Sequence, residues 1–200
     1  MKRIILFLFL LNVCSYAQRE TVFEGDIENG GFGGPVVKFT QIKGNFGVLV
    51  GGYGGWLINH QFLIGGGGFG LTNDILANEN VEGALGFINR PKLDFGYGGL
   101  IMEYYQNPMK LFHWSVSLLI GGGGISYREG DFMEHSWRDI KPDAFFVLEP
   151  AVSGELNVAK YFKIGLGAGY RFISGVNMYG IGNTDLGNFS INLALKFGKF

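Results

Sequence analysis

Residues 189 to 197 read Phe189-Ser190-Ile191-Asn192-Leu193-Ala194-Leu195-Lys196-Phe197, and this stretch decides the fold. Phe189, Ile191, Leu193, Leu195 and Phe197 share one phase, with Ser190, Asn192, Ala194 and Lys196 in the other. A period of two is the signature of a β-strand, whose successive side chains point to opposite faces. The pattern recurs just upstream, where Phe162, Ile164, Leu166, Ala168, Tyr170 and Phe172 alternate with Lys163, Gly165, Gly167, Gly169 and Arg171.

Working outward from these two runs, the chain from Gly33 onward divides into eight alternating segments bounded by turn residues: 34–42, 45–58, 61–73, 93–105, 110–124, 143–157, 161–173 and 188–200. The gaps between them alternate in length. Asn59-His60, Gln106 to Met109 and Val158 to Lys160 are short, whereas 74–92, 125–142 and 174–187 are long; the short first connection at Lys43-Gly44 is the exception. Tight turns on one side and longer loops on the other, with an even strand count, predict an all-β fold: an eight-stranded antiparallel up-and-down transmembrane β-barrel.

Alternation alone leaves a soluble, lipocalin-like binding barrel open, because such a barrel turns the same apolar residues inward. The non-apolar face here is mostly Gly, Ser and Ala with a few charges, which suits a crowded lumen better than a watered exterior. Aromatics also gather near the short-turn ends: Trp56, Phe62, Tyr104, Tyr105, Phe112, Trp114, Tyr161, Phe162, Phe197 and Phe200. Amphipathic rings settle at the lipid headgroup level, so Trp56, Tyr104, Trp114, Phe162 and Phe197 read as a periplasmic aromatic girdle.

Composition agrees. Glycine supplies 35 of 200 residues and charged residues only 16%, against roughly 25% in soluble domains. The net charge of −1 gives no basic surface for nucleic acid. Lys2 and Arg3, the apolar run Ile4 to Val13 and the triplet Ser15-Tyr16-Ala17 before Gln18 have the layout of a cleaved secretory signal over residues 1–17. That run is too short for a membrane-spanning helix, so any crossing falls to strands. Cys14, the single cysteine, follows Val13 where a lipoprotein acceptor would follow a small residue. Residues 18–32, with Glu20, Glu24, Asp26 and Glu28, read as a flexible acidic periplasmic segment, leaving 33–200 as the barrel.

Two local features strain the pattern. The tetraglycines Gly65 to Gly68 and Gly121 to Gly124 fall inside strands, where glycine marks a bulge, a bend or close backbone approach, and a shift of alternation phase is expected there. Pro150 falls inside the sixth strand, where it removes a ladder donor in a place with no water to replace it. A bulge or a strand boundary is expected at that point.

The lumen face carries Lys38, His113, Glu149, Glu155, Lys163, Arg171 and Lys196. Charges in a narrow interior need partners, so Lys38, Glu149, Glu155, Lys163, Arg171 and Lys196 read as a structural ion network that plugs the barrel, with a polar conduction path as the alternative. A three-residue turn at 158–160 would set Glu155 opposite Lys163 and Glu149 diagonal to Arg171.

Architecture, together with Ser15-Tyr16-Ala17-Gln18, the strand Asn45 to Ile58 with its Gly51-Gly52-Tyr53-Gly54-Gly55-Trp56 core, and the end Leu195-Lys196-Phe197-Gly198-Lys199-Phe200, resembles the small outer-membrane β-barrel proteins of the OmpA, OmpX and OmpW kind, in the glycine-rich form common among the Bacteroidota. The resemblance covers most of residues 33–200. It implies residence in the cell outer membrane, contact with lipid and lipopolysaccharide, and insertion by the barrel-assembly machinery with Phe200 as the terminal signal. The apolar alternation, however, counts back from Phe197, while Phe200 is in phase with Gly198, Lys196 and Ala194.

Catalytic and metal chemistry find little support. His113-Trp114-Ser115 is similar to the His-x-Ser pair of barrel-shaped lipid A deacylases, but both residues belong to the inward phase, opposite Phe112, Trp114 and Val116. Asp131, Glu134, His135 and Asp139 in the 125–142 loop match no metal-ligand spacing. Neither tetraglycine is followed by Lys-Ser or Lys-Thr and a helix, which excludes a phosphate loop. No cofactor is implied. The expected role is non-enzymatic, as a structural or accessory subunit of a larger outer-membrane complex, with a small-solute channel as the alternative.

Overall fold

The computed structural model describes residues 28–76, 91–128 and 142–200. The expected signal peptide and most of the expected acidic segment lie outside these residues, as do Asp131, Glu134, His135 and Asp139.

Among the described residues nine strands form one closed antiparallel sheet: β1 (Asn29–Ile42), β2 (Asn45–Ile58), β3 (Phe62–Leu71), β4 (Lys92–Gln106), β5 (Phe112–Arg128), β6 (Asp143–Ala159), β7 (Phe162–Tyr170), β8 (Phe172–Ser174) and β9 (Phe189–Lys199). β7 and β8 are two halves of one wall strand, so the barrel has eight staves, each paired with its chain neighbour and β1 paired with β9. The first strand starts at Asn29 rather than in the thirties, because Gly30 and Phe32 continue the inward phase and pair with β2 up to Asn29↔Ile58.

The short turns follow their residues. Lys43 and Gly44 have φ of 51° and 74°, and Asn59 and His60 have φ of 50° and 57°. Positive φ at both central positions gives the turn whose twist matches that of the flanking strands; the first connection has two residues and the second three, with Gln61 N donating to Ile58 O at 3.0 Å.

The apolar phase faces out. Leu100, Phe146, Val152, Leu166, Phe189 and Ile191 are 40–70% exposed, among many large apolar residues on the outer wall. A wall this apolar is solvated by hydrocarbon rather than water, which removes the soluble binding barrel.

Of the readings offered for the tetraglycines, close backbone approach is the one the structure shows; the expected phase shift does not occur, and there is no bulge. The β2–β3, β3–β4, β4–β5 and β5–β6 registers run unbroken through Gly65–Gly68 and Gly121–Gly124. Inward-phase glycines instead let neighbouring backbones approach. A Cβ on Gly65 would lie 2.0 Å from Gly54 O, and one on Gly121 2.1 Å from Gly98 O. Outward-phase glycines on β3 differ. Gly66 and Gly68 would place a Cβ no closer than 3.5 Å to anything, and Gly70 meets nothing within 4 Å.

Pro150 also departs from expectation, since β6 runs straight through it. The interruption falls on the neighbouring stave at Arg171. The pairs Ala151↔Gly169 and Leu148↔Phe172 keep one register across that break, so Tyr170 lies level with Pro150 and Glu149 level with Arg171. Arg171 N donates to Asn188 O on the opposite side at 2.9 Å, so Tyr170 turns its backbone toward Pro150, which has no N–H to give. The one irregularity in β6 pairing lies between Asn157 and Ala159 instead. That register corrects the expected one: Glu155 lies opposite Gly165, and Asn157, not Glu155, faces Lys163.

Candidate functional site: the filled lumen

Inward side chains fill the barrel in layers. At the long-loop end the filling is apolar: Leu93, Phe95, Ile125, Phe145 and Val147 are all buried, and Phe95 stacks on Phe145 at 5.5 Å. The last long connection folds over this end. Its one-turn helix α1 (Asn183–Leu186) buries Leu186 completely and presents Leu186 O to Arg171 Nε at 2.8 Å.

Below this lies a first polar layer. Lys38 Nζ pairs with Glu149 Oε1 at 2.5 Å, and Tyr97 OH donates to Glu149 Oε2 at 2.5 Å. The Lys38 ammonium stands 3.6 Å from the Phe69 ring centre, a cation–π contact in a dry setting. Arg171, wholly buried, reaches Tyr97 OH and Thr40 Oγ1 at 3.5 Å each, besides Leu186 O. This layer holds two cations and one carboxylate, of which only Lys38 pairs with Glu149.

A second layer has the opposite balance. Lys196 Nζ donates to Glu103 Oε1 at 3.0 Å, to Tyr105 OH at 3.0 Å and to Glu155 Oε1. Glu103 also accepts from Tyr53 OH at 2.8 Å, Tyr105 OH at 2.6 Å and Ser115 Oγ at 2.7 Å. Two carboxylates share one cation, complementing the first layer across a cavity of about 50 Å³ lined in part by Lys38, Glu149, Glu103, Lys196 and Asn192. Lys163 lies beyond this layer, toward the short-turn end.

All six charged residues assigned to the lumen are therefore inside, at 0–5% exposure. The structure brings Lys38 to Glu149 and Lys196 to Glu155, whereas Lys163 and Arg171 make no ion pair among the described residues. Sequence reasoning missed Glu103, the acceptor of four hydrogen bonds, and the tyrosines that serve it. The signal was present in its phase, which it shares with Tyr97 and Tyr105 on β4.

His113 and Ser115 both face the lumen. Ser115 Oγ lies 2.7 Å from Glu103 Oε1 and 3.0 Å from Glu155 Oε1, while His113 Nδ1 contacts Lys110 O at 3.2 Å. The two do not hydrogen-bond to each other, so the base–nucleophile pairing of a deacylase is not formed. Among the described residues no group of three His, Cys, Asp or Glu side chains stands where it could hold a metal.

Trp56, Tyr104, Trp114, Phe162 and Phe197 all point outward near the short turns, with Phe162 stacked on Phe197 at 4.8 Å and Tyr104 tilted against Phe62 at 4.9 Å. Two aromatics read from sequence as part of the same gathering turn inward instead. Tyr105 belongs to the second polar layer, and Phe200 packs on Phe32 at 5.2 Å beneath it.

No protein-family model and no curated protein sequence matches the chain. Solved structures do. Neisserial surface protein A superposes with a TM-score of 0.61 at 10% identity, over 88% of this chain and 100% of that one. The N-terminal β-barrel domain of OprF from Pseudomonas aeruginosa superposes with a TM-score of 0.55 at 9% identity, over 86% and 99%. The fold is that of the small eight-stranded outer-membrane β-barrels.

Proposed function

We propose that this chain is an integral outer-membrane barrel that carries out no chemistry and serves as a structural or accessory subunit, held against another membrane-embedded protein. Its lumen ion network is a plug, its aromatic girdle lies at the periplasmic headgroups, and lipid and lipopolysaccharide cover the rest of its wall. Export by the 1–17 signal and insertion by the barrel-assembly machinery bring it there. Because Phe200 faces the lumen, Phe197 is the outward aromatic at the chain's end and the better candidate for the insertion signal.

The observation that carries the accessory role is the bare stretch of the outer face of β3 from Gly66 to Gly70, beyond Phe62 and Ile64. The inward glycines of this strand, Gly65 and Gly67, are required by close contacts within the barrel, but Gly66, Gly68 and Gly70 have room for a side chain and carry none. Small residues on a lipid-facing surface let a second backbone approach closely, which is how membrane proteins associate where the solvent is as apolar as they are.

The test is a Gly68→Trp variant expressed in its native membrane beside the wild type. Both should give a heat-modifiable band on a denaturing gel, and only the wild type should retain a partner after gentle solubilisation. A wild-type barrel that purifies alone, or a variant that keeps its partner, refutes the reading.

A further inference from the structure

At the short-turn end the lumen opens into a vestibule of about 340 Å³ whose lining includes Asn157, Lys160, Lys163 and Phe200. Lys163 is only 4% exposed, yet its ammonium makes no hydrogen bond or ion pair among the described residues. It is held by ring faces alone, with Nζ 4.2 Å from the Phe200 centroid and 5.6 Å from that of Tyr105. Glu103 and Glu155, the carboxylates nearest to hand, are both paired with Lys196 through Oε1; Glu155 Oε2 is left without a partner, but neither carboxylate comes within ion-pair distance of Lys163, on which they act only through space.

Asn157 stands directly opposite Lys163 in the β6–β7 register. Its Nδ2 is committed to Pro108 O at 2.9 Å and Lys110 O at 2.7 Å, which fixes the amide and leaves Oδ1 buried without a partner. Three free ammonium donors therefore lie beside one acceptor that lacks a donor. Buried polar groups find partners, and a single ligand chemistry satisfies both: an anion carrying an adjacent N–H. Lys160 on the rim adds positive charge, while His60 already has Glu28 at 2.5 Å and adds none that is uncompensated.

We infer that the vestibule is a binding site for a carboxylate flanked by an amide N–H, the chemistry of an N-acylated amino acid or a peptide C-terminus, with Lys163 holding the carboxylate and Asn157 Oδ1 accepting from the amide. This inference does not depend on the accessory role, since it concerns the opposite end of the molecule from the β3 panel.

The experiment titrates the folded full barrel, labelled at the lysine ¹³Cε and held in a nonionic detergent, with N-acetylalanine. N-acetylalanine amide and acetate are the controls, and Lys163→Arg assigns the resonance. Saturable movement of the Lys163 signal is expected with N-acetylalanine, none with the neutral amide. Acetate should bind about tenfold more weakly, the worth of one hydrogen bond to a buried group. Asn157→Ala should abolish that preference while leaving acetate binding intact. No saturable shift at Lys163, equal response to the neutral amide, or movement confined to Lys110 and Lys160 overturns the inference and leaves Lys163 as a cation solvated by water alone. A heat-modifiable band for each variant separates lost binding from lost folding.

Discussion

Replacing Lys196 by Met removes the cation that two buried carboxylates share. All three ammonium protons are committed, to Glu103, Glu155 and Tyr105, and both carboxylates are at most 3% exposed. Breaking a buried pair by deleting one partner costs about 3–5 kcal/mol, because the remaining charge stays desolvated. Lys196→Met should therefore destabilise the barrel by an amount in that range. Urea unfolding in lipid vesicles, read by the loss of the heat-modifiable form, measures it. The triple variant Lys196→Met, Glu103→Gln, Glu155→Gln should recover more than half of the loss, since neither carboxylate of the second layer is left buried with its charge. A single-variant loss below about 1 kcal/mol, the scale of an exposed pair, or a triple variant no better than the single, refutes the view of Lys196 as the electrostatic centre of the second layer.

Three further outcomes follow from the geometry. Gly65→Ala should abolish the folded band, its Cβ meeting Gly54 O at 2.0 Å, whereas Gly70→Ala should fold like the wild type; equal behaviour on a folding gel contradicts the distinction between the two glycine phases. Arg171→Met should release the connection that ends at Leu186 and Asn188, seen as faster amide exchange at Ile181 to Leu186 with the strands unaffected; unchanged exchange there means that the loop is held by its apolar residues alone. Planar bilayers containing the barrel should show no steady ionic current, because a cavity of about 50 Å³ between the polar layers holds only a water or two; long-lived open steps would overturn the plug.

The staves were legible because their alternation is strong where the outer wall is apolar, and β2 runs over Asn45–Ile58 as read from its pattern. Legibility failed where the phases trade character. On the upper part of β4 the inward residues are Leu93, Phe95 and Tyr97, while the outward ones are Asp94, Gly96 and Gly98. An apolar-out rule applied there reverses the faces and takes Glu103 out of the lumen with them. Large inward side chains and bare outward glycines compensate each other in cross-section, so local pattern cannot reveal the exchange. The start of β1 was hidden for a related reason: Gly30 and Gly31 read as linker. Gly30 is a site of contact, where a Cβ would lie 2.4 Å from Lys199 O across the β1–β9 seam. The β6–β7 register was missed by two residues because the irregularity at Asn157/Ala159 lies at the very end of β6 and moves the turn to residues 160–161.

The struts inside the barrel join residues far apart in the chain: Lys38 to Glu149 spans 111 positions and Lys196 to Glu103 spans 93. Neither pair can meet until the last stave has closed on the first. Before closure those lysines and glutamates are hydrated, and they lend water solubility to a polypeptide whose other alternate residues favour oil. The same side chains thus serve two successive solvents, as hydrophiles in transit through an aqueous compartment and as internal bracing once the sheet is a cylinder.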